Sequence, residues 1–105
     1  MSNLNCRRGK ENERYLAKRF GGRRLGTMGK IDVEIPGFAV ECKERKSIPA
    51  LIKSGLNQAM ANRINGEKQI PLLHLHEQSA GRKTDMIVML IDDWAKMYRK
   101  YMEAP

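Results

Sequence analysis

Three residues whose types and spacing could do chemistry sit on one short stretch of chain: Asp32, Glu41 and Lys43. Between them lie two runs of alternating polarity, Ile31-Asp32-Val33-Glu34-Ile35 and Phe38-Ala39-Val40-Glu41-Cys42-Lys43, joined by Pro36-Gly37. Alternation with period two reads as a half-buried strand. Pro-Gly is a turn signal, with Pro fixing the first central φ and Gly supplying a positive second one. A two-residue loop there pairs Ile35 with Phe38, Glu34 with Ala39, Val33 with Val40 and Asp32 with Glu41. Side chains directly opposite one another have Cβ atoms about 4.5–5.5 Å apart, and like charges so placed are destabilising. A divalent cation would offset that repulsion, since Mg²⁺ takes hard oxygen ligands, one or two carboxylates among them, and keeps several waters. Lys43 lies on the same face as Glu41 and reaches the same point. The bland alternative is a half-buried hairpin whose charged residues simply face solvent.

The residues before the hairpin must position a further carboxylate. Residues 10–20 are rich in helix formers and end at Gly21-Gly22, which predicts a helix with a glycine stop. Leu16, Ala17 and Phe20 form its apolar face. Glu13 lies three, four and seven positions before them, so it projects from the core-facing stripe, whereas Glu11 points to solvent. Residues 23–30 read as a basic loop or a poor strand. Residues 49–64 predict a second helix with Ser47 as a cap, Pro49 in its first turn and a stripe of Ile52, Leu56, Ala59, Met60 and Ile64. Ile70–His76 and Met86–Ile91 read as strands, the second central in a sheet. A final helix, capped by Asp92 or Asp93, carries Trp94, Met97, Tyr98 and Tyr101.

Composition bounds the partners. The chain has 105 residues, 41% hydrophobic, which is enough for a core and predicts one domain, with residues 1–9 as a candidate flexible basic arm. Net charge is +8, and residues 1–30 hold nine Lys/Arg against two Glu, a net of +7. Such concentration points to a polyanion, most often nucleic acid. Arg7, Arg8, Lys10, Arg23, Arg24, Lys30, Arg45, Lys46 and Lys53 are candidate phosphate contacts. The longest apolar run is far short of the roughly 20 residues a membrane span needs, so no membrane partner is expected. Two cysteines are too few for a disulfide framework or a cysteine zinc site and fit a reducing cytoplasm. His74 and His76 share one strand face with no third ligand at a supporting spacing, so they read as the exterior of an edge strand.

Together, Glu13, Asp32 and Glu41-Cys42-Lys43 resemble the PD-(D/E)xK nuclease superfamily, and within it the archaeal-type Holliday-junction resolvases and their phage relatives. The stretch Arg7-Arg8-Gly9-Lys10-Glu11-Asn12-Glu13-Arg14 is similar to the basic-Gly-x-x-x-Glu-Arg opening of their first helix, and Ile70-Pro71-Leu72-Leu73 and Met89-Leu90-Ile91-Asp92-Asp93-Trp94 to their later elements. The likeness covers roughly residues 7–100. It implies an α/β fold with a mixed central β-sheet flanked by helices, a restriction-endonuclease-like core of αβββαβ type. It implies Mg²⁺-dependent hydrolysis of DNA phosphodiesters at four-way junctions, with Mn²⁺ able to substitute and no small-molecule cofactor. Asp32, Glu41, the Cys42 backbone carbonyl and Glu13 would hold metal, Lys43 would serve the attacking water, and Arg14 would hold DNA phosphate. Gln58 on the second helix would support the site, as would Thr27, in the loop where the family carries a serine. Symmetric cutting needs two sites and one chain supplies one, so a homodimer is expected. Two alternatives stand beside this reading: a nicking or branched-DNA repair nuclease of the same superfamily, and a non-catalytic basic DNA-binding module.

Overall fold

Glycine and proline punctuate the chain into short elements, and the structure, a computed structural model, describes residues 3–25 and 31–104, with side chains from Gly9 onward. Thr27 and Lys30 lie outside the described residues. The chain is mixed α/β, with three α-helices and two small antiparallel sheets among the described residues. It divides into two compact units, residues 1–46 and 47–105.

The first unit is a helix on a three-stranded sheet. Helix α1 spans Asn3–Phe20, so it begins well before Lys10 and takes in most of the segment read as a candidate arm. Its end is built by glycine: Gly21 has φ 65°, and the Gly22 N–H bonds back to the Ala17 carbonyl at 2.8 Å. That six-to-one bond is a Schellman motif, which satisfies a terminal carbonyl and needs the left-handed residue just before it. Strands β1 (Arg23–Arg24), β2 (Val33–Ile35) and β3 (Phe38–Val40) follow in sheet order β1-β2-β3. The basic stretch at 23–24 is therefore a strand, paired Arg23 to Glu34 and Arg24 to Val33. β2 and β3 pair in the expected register, Val33↔Val40, Glu34↔Ala39 and Ile35↔Phe38. Gly37 has φ 89°, close to what the second central residue of a type II turn requires. α1 packs on β1 and β2. Val33 and Ile35 are 0% and 1% exposed, with Phe20 beside them in the core. Burying each β-branched side chain is worth about 1.5–3 kcal/mol.

The second unit holds α2 (Ala50–Ala61), a 3₁₀ turn (Gly66–Lys68), β4 (Leu73–Leu75), β5 (Met86–Val88) and α3 (Ile91–Glu103). α2 is shorter at its C-terminal end than its apolar spacing predicts. Gln69 Oε1 accepts the N–H groups of Ile64 and Asn65, at 2.7 and 3.2 Å, and Arg63 Nε donates to the Met60 carbonyl at 3.0 Å. These side chains compete with the helix for the backbone, and Ile64, read as part of the buried stripe, is 88% exposed. Ser47 does not cap α2: its N-cap is Pro49, with no side-chain cap bond. α3 starts after Leu90, so Asp92 and Asp93 lie in its first turn, where carboxylates favour the dipole, rather than at its cap. β4 and β5 form their own two-stranded antiparallel sheet, so β5 is not a central strand among the described pairings, and no single mixed sheet is among them either. Leu56 and Tyr98 are buried here, and Gly55 of α2 lies against Leu73 of β4. Among the described residues, no helix is long and apolar enough to cross a membrane.

Two glycines set the packing distances. A Cβ on Gly22 would press into the Glu34 carbonyl, which is backbone and cannot yield, whereas one on Gly55 would meet the end of the Leu73 side chain at 2.7 Å. Overpacking against a fixed group costs about 1–3 kcal/mol. Urea denaturation is expected to show Gly22→Ala losing stability in this range and losing more than Gly55→Ala.

Candidate metal and nuclease site

The site begins where the β2–β3 ladder ends. One step beyond the Val33↔Val40 pair, the Asp32 N–H bonds to the Val40 carbonyl at 3.1 Å. On its other side, the Asp32 carbonyl accepts the Leu25 N–H, also at 3.1 Å. Asp32 is thus fixed through its backbone from both neighbouring segments. Its Oδ2 accepts the Cys42 N–H at 2.7 Å, which ties the carboxylate to the far strand. The Asp32 and Glu41 carboxyl groups act on one another, but the pairing expected between these two residues is not part of the described ladder, which ends at Val33↔Val40, and the Asp32 N–H bonds to Val40 instead.

Their protonation is split by that contact. The Glu41 hydrogen bond, then the Cys42 N–H, hold Asp32 below the usual carboxylate range, and Lys43 acts in the same direction. Glu41 is pushed up, first by its hydrogen bond to Asp32 and the Asp32 charge, then by desolvation and the Glu13 charge, with Lys43 opposing. Two carboxyl groups that close share one proton more readily than they carry two charges. The Cys42 thiol is pushed up by desolvation and by the charges of Asp32, Glu13 and Glu41. The same three carboxylates therefore bear on one small volume.

Glu13 reaches it from α1. Its side chain is only 14% exposed, as the apolar stripe predicts for that helix position. Its Oε1 accepts a hydrogen bond from Arg24 Nε at 3.1 Å, a partly buried ion pair between α1 and β1. Arg24, read as a DNA contact, is engaged by Glu13 instead. Asn12, the residue before Glu13, donates from Nδ2 to Glu44 Oε1 at 3.0 Å and ties α1 to the segment after β3. Sequence reasoning missed both contacts. The neighbouring acid–amide types were visible, but residues 23–30 were read as a basic loop or a poor strand with no pairing partner, which left Arg24 without a place.

The remaining cations divide in the same way. Arg23 pairs with Glu34 at 3.1 Å, and Arg45 donates to the Glu44 carbonyl. Lys10, Arg14 and Lys46 are exposed in the first unit, and Lys43 is exposed beside the carboxyl pair. Lys53 and Gln58 are exposed on α2, in the second unit. The side chains of Arg7 and Arg8 lie outside the described residues.

Asp32 and Glu41 fit the minimum that Mg²⁺ asks of a protein, one or two carboxylates with water completing the shell. A third side-chain ligand is not assembled with them. Among the described residues, no group of three or more His, Cys, Asp or Glu is arranged to hold a metal ion, and Glu13 is held by Arg24.

A second polar cluster lies on β4 and β5. His74 Nε2 and His76 Nδ1 meet the two oxygens of Asp85 at 2.8 and 2.7 Å, and Arg82 Nη1 meets Oδ2 at 3.1 Å. Continuing the β4–β5 register places His76 opposite Asp85. Asp85 is held below its usual range by His76 and His74 first, then by Arg82. The histidines are thus engaged by a carboxylate that the sequence reading did not connect to them.

The carboxyl pair fixes a pH dependence. Asp32, with a lowered pKa, stabilises the fold above its unfolded-state pKa, and this is lost as pH falls through the folded value. Glu41, with a raised pKa, stabilises it while protonated, and this is lost as pH rises through the raised value. In EDTA, the melting temperature of the wild type is expected to fall relative to Glu41→Gln as pH rises through the raised Glu41 value. Parallel curves for the two proteins would show that Glu41 carries no such strain.

Comparison of the chain with protein-family models, with curated proteins and with solved structures returns no match.

Proposed function

We propose that the chain is a Mg²⁺-dependent, structure-selective DNA endonuclease that resolves four-way junctions by phosphodiester hydrolysis, of the kind found among the archaeal-type and phage Holliday-junction resolvases. The single observation that carries this reading is the interaction of the Asp32 and Glu41 carboxyl groups at the end of the hairpin, with Lys43 acting on both and Glu13 on Glu41. The element order, a helix, three strands, a helix and a strand from the N-terminus, supports a core of the αβββαβ type. A single mixed central sheet flanked by helices, and a homodimer that brings two sites to one junction, belong to the same proposal.

Asp32 and Glu41 would hold the metal, with the Cys42 carbonyl and Glu13 as further ligands. When bound, Mg²⁺ polarises the scissile phosphate and lowers the pKa of a coordinated water. The Lys43 ammonium has three donors, which can orient the attacking water and hold an equatorial phosphate oxygen as charge develops there. Arg14, Lys10 and Lys46 are exposed cations in the same unit and would hold backbone phosphates. Arg24 Nε donates to Glu13 Oε1 and fixes where that side chain sits. The Arg24 bond uses Glu13 Oε1, so Oε2 could reach a metal with that bond kept, and Arg24 would hold the carboxylate in place.

The engagement of Glu13 by Arg24 also favours a second reading, a basic DNA-binding module without catalysis. One assay separates the two. A labelled four-way junction incubated with protein and Mg²⁺ is expected to be cut, with cutting lost in EDTA and reduced at least 100-fold in Lys43→Ala, within the range typical of positioned proton-transfer groups, about 10²–10⁴. Binding without cleavage in any divalent ion would establish the second reading. Flap and nicked duplex substrates in parallel report whether the junction is the preferred one.

A further inference from the structure

The polar face of α3 and the turn at residues 66–68 enclose a groove of about 390 Å³ in the second unit, apart from the carboxyl pair. Lys68, Lys96, Arg99 and Lys100 line it, with Ile70 and Met97 as apolar lining. Glu67 and Glu103 are the carboxylates there, so four cations face two anions. Lys96 and Lys100 are four residues apart on one helix, a spacing at which like charges repel. The Lys100 charge suits the last turn of α3, where the helix dipole favours cations, but Lys96 and Arg99 lie further from the end. Lys96 pairs loosely with Asp93, 3.8 Å away, and its side chain is 66% exposed. Such a site gains from an anion that threads several cations at once. Ile70 and Met97 give it a surface for the apolar face of a sugar or base.

We infer that this groove is a second nucleic-acid contact, which takes backbone phosphates on Lys68, Lys96, Arg99 and Lys100 and lays a sugar or base edge on Ile70 and Met97. The choice of DNA as the polyanion rests on the proposed nuclease reading and on the net charge of +8. The groove lies outside the cations that sequence reasoning assigned to DNA, all of which precede Lys53 or are Lys53 itself.

Anisotropy of a labelled four-way junction, read in EDTA across a salt series, tests the groove without any cleavage. Each phosphate contact contributes about 0.9 to the slope of log K against log salt. The Lys96→Gln/Lys100→Gln double variant is expected to bind on the order of tenfold more weakly and to flatten the slope by about one to two. Lys68→Gln, on the turn rather than the helix, is expected to act in the same direction, which guards against a helix that folds poorly. A control pair of exposed cations outside the groove, Lys18→Gln/Lys83→Gln, is expected to leave the slope closer to wild type. Unchanged affinity and slope in the groove variants would overturn the inference, as would equal losses in the control pair. Loss of binding to polyglutamate with junction binding intact would overturn it in favour of an acidic protein partner. If the nuclease reading fails, the wild type binds but never cuts; if the groove fails, the wild type cuts and the groove variants bind as it does.

Discussion

Two carboxyl groups pressed together at the end of a hairpin constrain the rest of the first unit. Asp32 and Glu41 repel when both are charged, yet the fold brings them into hydrogen-bonding contact. What holds them there is apolar. Val33 and Ile35, immediately after Asp32, are the most deeply buried side chains among the described residues, and α1 packs over their strand. Slipping the register by one residue would relieve the carboxyl contact but turn both side chains out of the core. The burial of two β-branched residues, about 1.5–3 kcal/mol each, outweighs an exposed like-charge pair. The proton shared at low pH and the neighbouring Lys43 reduce the repulsion, and a divalent cation would remove it.

The charge that dominates the composition has a more local use than a uniform DNA-binding surface. Arg23 and Arg24, adjacent on β1, point to opposite faces and serve two carboxylates: Glu34 on the next strand and Glu13 on the helix. Arg24 thereby stitches α1 to the sheet through its ion pair with Glu13. Among the described residues of that unit, Arg23, Arg24 and Arg45 are engaged by partners within the fold, while Lys10, Arg14, Lys18, Lys43 and Lys46 are exposed.

The hairpin was legible because its signals are short-range. Alternation sets the faces, Pro36-Gly37 sets the loop length, and together they fix which residues oppose. Glu13 was legible for a similar reason, since one helical turn relates it to Leu16 and Ala17 and two turns to Phe20. Contacts across longer separations were not. The Arg24–Glu13 pair depends on β1, a two-residue strand whose partner lies beyond a glycine-rich stretch. The Asp85 link to His74 and His76 depends on the register of β4 and β5 across a polar loop of no fixed turn type. The premature end of α2 comes from Gln69, a side chain outside the helix that outbids it for Ile64 and Asn65. In each case the decisive partner is set by tertiary placement, which propensity and spacing do not encode.

Calorimetric titration of Mg²⁺ or Mn²⁺ into the DNA-free protein tests most directly whether the carboxyl pair is a metal site. The account predicts saturable binding by the wild type near neutral pH, abolished in both Asp32→Asn and Glu41→Gln while Glu34→Gln, on the same hairpin but paired with Arg23, binds as the wild type does. Binding that survives in both carboxyl variants, or no saturable binding by the wild type, would contradict it.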